Sequence, residues 1–192
     1  MSSGDGLARV EIASDAELWT WLSDHHRQGE SVWLVTWKAH AAEKHVGREA
    51  VLDALIAHGW IDGRRMKLDA DRTMQLIAPR KQQAWAQSYK DRAARLIEEG
   101  RMQAAGLASV EAGKASGLWD FYADVDTLIV PEDLQAALDA RPPAAGAFAE
   151  MAPSVRRNVL RWIKNAKTEG TRAKRIAETA TLAQRGEKVP QM

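Results

Sequence analysis

The chain has 192 residues, enough for one hydrophobic core or a core with a helical appendage, and a formal net charge of +1, which argues against an obligate nucleic-acid coat or an acidic tail. It contains no cysteine, which excludes disulfides, thiolate metal sites and cysteine nucleophiles and fits a reducing compartment. Eight tryptophans stand against two phenylalanines and two tyrosines, and tryptophan serves cores and binding faces alike.

Met1 to Gly6 is small and polar, with no basic region leading into an apolar run, and is expected to fray. No apolar stretch approaches the roughly 20 residues that span a bilayer, so the expectation is a cytoplasmic protein without membrane insertion. Ser14-Asp15-Ala16-Glu17 reads as a capping box for a helix over 15–28, with Leu18, Trp21, Leu22 and His25 on one face and Gly29 as its stop. Residues 31–38, rich in β-branched and aromatic side chains and apolar on both faces, predict a central strand. A second helix over 48–58 presents Val51, Ala54, Leu55 and His58 as a stripe, and Gly59 caps it.

Residues 60–67 and 73–79 read as a hairpin, with Pro79 ending the second strand or marking an edge. A further short strand is expected over 8–12. From Gln82 the period becomes helical, with Trp85, Tyr89, Ala93, Leu96 and Ile97 sharing a face up to Gly100. A helix over 104–116 ends at Gly117, and 120–130 is expected to be irregular or briefly extended. Four helices follow, over about 131–141, 144–151, 154–167 and 171–185. The fold class is therefore α+β: a small antiparallel sheet of three to four strands packed with helices, then a helical C-terminal region. Domains are expected at 7–120 and 130–187.

Charge is unevenly spread. Residues 150–192 hold ten basic and four acidic side chains, a net of +6, and the remaining seventeen basic and twenty-two acidic ones give −5. Lys164, Lys167, Arg172, Lys174 and Arg175 read either as a stripe for phosphates or as the solvated face of two amphipathic helices. They could equally dock on the acidic body of the same or another copy.

The stretch Gly59 to Trp85 concentrates aromatic, acidic, basic and glycine residues. One reading is a small-anion site in which Trp60 stacks a ligand, Asp62 accepts its hydrogen bonds, Gly63 lets it approach, and Arg80 and Lys81 beside Trp85 hold its charge. The other reading makes Trp60 core, Asp62 a turn cap and Gly63 a bulge. His25, His26, His40, His45 and His58 lie in unrelated local settings, so no metal is expected, and no Gly-x-Ser-x-Gly elbow points to a serine hydrolase. No catalytic residue and no cofactor is assigned.

The ordered series His58-Gly59-Trp60-Ile61-Asp62-Gly63, Pro79-Arg80-Lys81, Trp85, Gly100-Arg101-Met102, Ala105-Gly106-Leu107, Trp162-Ile163-Lys164-Asn165-Ala166-Lys167 and Thr171-Arg172-Ala173-Lys174-Arg175-Ile176 resembles the YdeI/OmpD-associated, or bacteriocin-protection, family of bacterial proteins. The resemblance runs from about Leu18 to Gly186. It departs after Lys81, where serines near 83 and 86 and an asparagine near 89 are replaced by Gln83, Ala86 and Tyr89. What it implies is a non-enzymatic stress-protection protein that binds a peptide or envelope partner, with the nucleic-acid and small-anion readings as alternatives.

Overall fold

The computed structural model describes residues 6–190, so all but Gly6 of the start expected to fray lies outside the described residues. The chain divides into two compact units, Met1–Asp120 and Phe121–Met192.

In the first unit β1 (Arg9–Glu11) leads into α1 (Asp15–His25), β2 (Val32–Trp37), α2 (Arg48–Ala57), the hairpin β3 (Trp60–Lys67) and β4 (Arg72–Pro79), α3 (Gln87–Glu98) and α4 (Ala104–Ala115). The sheet order is β1-β2-β4-β3. Every pairing is antiparallel except β1 with β2, which is parallel. The sheet is therefore mixed where an antiparallel one was expected. The physical reason is α1, a helical crossover that returns the chain so that β2 runs in the direction of β1.

Ser14 caps α1 as read from the sequence, its Oγ accepting from Glu17 N at 3.2 Å, while Glu17 reaches back to Ala13 N at 2.7 Å. The helix stops at His25, three residues before the expected end, with His26 as its C-cap. β2 lies between β1 and β4 and is buried along nearly its whole length. β4 ends at Pro79, paired with Trp60 of β3. Between Asp62 and Arg65 the register slips, so a bulge sits at Gly63 and Arg64.

The sheet presents Val32, Leu34, Ile77 and Trp60 to Leu18, Leu22, Val51 and Leu55, and this is the main core. α2 is buried at every position from Val51 to Ala57, broader than the predicted stripe. It contacts α1, β3, α3 and α4 at once. A helix enclosed on several sides needs apolar or paired residues all round.

Trp85 does not belong to α3, which starts at Gln87. It packs from the preceding loop into a second cluster with Ile56, Ala57, Ala93, Leu96 and Val110. Ile97, expected on the same face, is 47% exposed. Trp37, half-buried on β2, has Lys44 and Arg72 against its ring at 4.5 and 5.6 Å.

The second unit is helical among its described residues: α5 (Ala123–Asp126), α6 (Glu132–Asp139), α7 (Ala144–Glu150), α8 (Pro153–Lys164) and α9 (Glu169–Gln184). α5 falls where irregular chain was expected. It closes with Ile129 N–H on Asp124 O (2.9 Å) and Leu128 N–H on Val125 O (3.1 Å), and Leu128 takes the left-handed position, φ +61°. α9 is the central element, packed on α6, α7 and α8 through Ile176, Thr179, Ala180 and Ala183. No helix among the described residues is long and apolar enough to cross a membrane.

Candidate functional site

Gly59 carries the chain from α2 into β3 at φ +73°, and Ala105 O would lie 2.7 Å from any Cβ there. That turn drives Trp60 inward. Its ring is 0% exposed and meets Trp21 edge-on at 5.5 Å, so it is core and offers no face to a ligand.

Asp62 is half-buried beside the bulge. Its Oδ2 accepts from Gln75 Nε2 at 2.9 Å, and its Oδ1 accepts the Tyr89 hydroxyl. Burial and the Asp62 carboxylate together push the Tyr89 phenol well above its ordinary range, so it stays a neutral donor. Gly63 contributes its carbonyl, 3.4 Å from Gln75 Nε2.

Arg80 follows β4, its backbone N–H held by Gly59 O at 2.9 Å. The guanidinium lies over the Trp85 ring at 4.0 Å and against Tyr89 at 5.3 Å. Burial lowers its pKa to about 10, opposed by Tyr89 and Asp62. Trp85 is 2% exposed, tilts against Trp119 at 5.0 Å, and fills space that Gly113 leaves open. Lys81 stands apart, exposed and reaching Gly29 O at 3.3 Å.

The structure thus assembles Asp62, Arg80 and Trp85 with Gln75 and Tyr89, and leaves Trp60 and Lys81 out. The sequence reading missed Gln75 and Tyr89 as members. A polar residue on the inward face of a central strand was the available signal for Gln75.

Tyr89 also lines a cavity of about 310 Å³ with Arg48, Glu49, Leu52, Ser88 and Arg92. Behind it, Arg92 is spent on Glu49 and Asp53. His58 is buried, its Nδ1–H on Ala54 O at 2.8 Å and its Nε2 3.1 Å from Ser23 Oγ; burial holds its pKa below the usual value, so it is neutral.

In the second unit the basic residues are largely committed. Lys164 donates to Asp124. Arg172 grips both oxygens of Asp133 at 2.6 and 2.9 Å. Arg175 donates to Trp162 O and stacks on its ring at 5.0 Å. Lys167 and Lys174 remain exposed. Beside these pairs a groove of about 620 Å³ runs between α6 and α9, walled by Ala137, Ala173, Ile176 and Ala177 and edged by Asp133, Arg141, Glu169 and Arg172.

Residues 10–109, more than half of the chain, match the family model described as a domain of unknown function, DUF8412. The chain belongs to that family. Residues 127–186 match the model described as bacteriocin-protection, YdeI or OmpD-associated. No curated protein and no solved structure matches the chain.

The resemblance read from the motifs is therefore shown over the helical C-terminal part, while the motifs from His58 to Leu107 fall within the DUF8412 stretch. In physical terms those front motifs are packing devices as much as site residues. Gly59 and Gly106 permit close backbone approach, and Trp85 seals the second cluster. In the YdeI/OmpD-associated stretch, Lys164, Arg172 and Arg175 tie helices together.

Proposed function

We propose that this YdeI/OmpD-associated protein is a non-enzymatic stress-protection protein of the bacterial cytoplasm. It protects by binding a partner: an amphipathic peptide helix seated between α6 and α9. The observation that carries this reading is the groove itself. Ala137, Ala173 and Ala177 are small enough to let a helix backbone come close, and Ile176 forms an apolar floor. Asp133 and Arg172 neutralise one another on one rim, leaving Glu169 and Arg141 to orient a polar edge. The family description, bacteriocin-protection, supports a peptide as the partner. Of the five basic residues behind the nucleic-acid alternative, only Lys167 and Lys174 are exposed, so few phosphate contacts are on offer.

The test is fluorescence anisotropy of a labelled amphipathic leucine–lysine helical peptide against the full chain. Saturable binding is expected, and Ala177→Trp, which fills the groove, should weaken it by about tenfold or more. Far-UV circular dichroism should be unchanged in that variant. Wild-type protein that fails to saturate below roughly 100 µM, or an Ala177→Trp variant that binds as tightly, would sink the reading.

A further inference from the structure

We propose that Arg80 is the receptor for a small organic carboxylate, gripped side-on through Nε and Nη2. Nη1 donates to Gln83 O at 3.0 Å. Nε and Nη2 are both buried and have no hydrogen-bond partner among the described residues. These two nitrogens share one edge of the planar group, the edge whose N–H bonds run parallel toward the two oxygens of a carboxylate. The protein builds that pairing elsewhere: Arg172 holds the two oxygens of Asp133 through Nε and Nη2 at 2.6 and 2.9 Å. Arg80 presents the same edge with no acid on it among the described residues. Buried charged donors left without an acceptor are costly and rare, and a bound anion is a recurring explanation.

The neighbours define the ligand. Asp62 acts on Arg80 electrostatically, yet its two oxygens already serve Tyr89 and Gln75. Its negative charge beside the guanidinium repels a dianion such as phosphate more strongly than a singly charged carboxylate. Trp85 and Tyr89 lie against the guanidinium and fix its plane, so the edge carrying Nε and Nη2 keeps one orientation. Both nitrogens are closed to solvent, so entry requires the loop between β4 and α3, where Gln82 and Gln83 are exposed, to shift.

The experiment follows the Arg80 Nε–H resonance of the ¹⁵N-labelled full chain, assigned by its disappearance in Arg80→Lys. Acetate, inorganic phosphate and chloride are titrated at constant ionic strength. Acetate is expected to give a saturable shift, phosphate a weaker one and chloride none. Arg80→Lys keeps the charge but loses the fork, so the acetate response of the Trp85 indole N–H should weaken about tenfold or more. Three outcomes would overturn the proposal. They are no saturable shift at about 100 mM acetate, well above the roughly millimolar range a ligand this small reaches; an equal Trp85 response in wild type and Arg80→Lys; or phosphate binding as tightly as acetate.

Discussion

Gly106→Ala is expected to cost about 3 kcal/mol, although glycine in a helix normally gives way to alanine with a gain of roughly 0.5–1 kcal/mol. The sign reverses because α4 begins against the end of α2. A Cβ at Gly106 would stand 2.7 Å from Ile56 O and 2.5 Å from Met102 Sδ, and closer still to Ala57 O. The methionine sulfur can swing away, but the two carbonyls are backbone. Ala57 O also accepts Gln103 N–H at 3.1 Å, which pins the two helix ends together. Relief therefore requires α4 to back off, opening the cluster around Trp85, Leu96 and Val110. At about 2–4 °C per kcal/mol for a chain of this size, the melting midpoint should fall by roughly 6–12 °C. Gly146→Ala in α7 is the control. Its Cβ enters open space, so the midpoint should hold or rise slightly. A Gly106→Ala protein as stable as wild type would mean that α2 and α4 do not approach as described.

Asp53→Asn should cost about 2–3 kcal/mol at neutral pH. Asp53 lies on α2 with its side chain 10% exposed and takes three arginines: Arg92, Arg95 at 2.6 Å and Arg101 at 3.7 Å. Removing one member of a buried pair typically costs roughly 3–5 kcal/mol; the smaller figure applies because Arg95 and Arg101 are 42% and 41% exposed and stay partly hydrated. Arg92, only 15% exposed, is the cation that suffers, keeping Glu49 alone.

The pH dependence follows from the same contacts. Burial works against the Asp53 carboxylate, but hydrogen bonds from Arg95 and Arg92 outweigh it and hold the pKa below the ordinary value of 3.8. A depressed carboxylate contributes stability that is fully present above its unfolded value and lost as pH falls through the folded one. The gap between wild type and Asp53→Asn should therefore be level from pH 7 to about 5 and close below about 4. Denaturant midpoints across that range provide the measurement. A gap that persists undiminished well below pH 3 would show that the loss comes from packing and not from charge.

Much of the backbone was legible because local chemistry agreed with the final structure. Ser14 and Glu17 begin a helix in any context that leaves their oxygens free, and β-branched and aromatic residues from Val32 to Trp37 favour an extended chain with two covered faces. The hairpin at 60–79 declared itself by Gly59, the polar turn at Asp69 and the stop at Pro79. Trp85 was misplaced because its spacing to Tyr89 and Ala93 fits a helical face. Nothing local records that the helix starts two residues later, nor that Gly113 leaves a space for the indole. The parallel entry of β1 was equally hidden, since three residues carry no mark of the direction of their neighbour.

The candidate site divides along the same line. Asp62, Arg80 and Trp85 could be singled out by residue type, because a guanidinium, a carboxylate and an indole within one hairpin and its exit are chemically conspicuous. Their relation could not. Trp60 was equally conspicuous and is enclosed, while Gln75 and Tyr89 were inconspicuous and hold the carboxylate.

The sequence by itself determined the α+β class, nearly every helix and strand, and the kinship of the C-terminal part, because caps, periodicity and motif order are properties of neighbouring residues. Only the tertiary structure decided which charges are spent and which are left over. Lys164, Arg172 and Arg175 find partners within their own unit, and Arg80 keeps one buried edge of its guanidinium without a partner among the described residues. Pairing and desolvation depend on what lies across space, often forty residues away along the chain, and no local pattern encodes that distance.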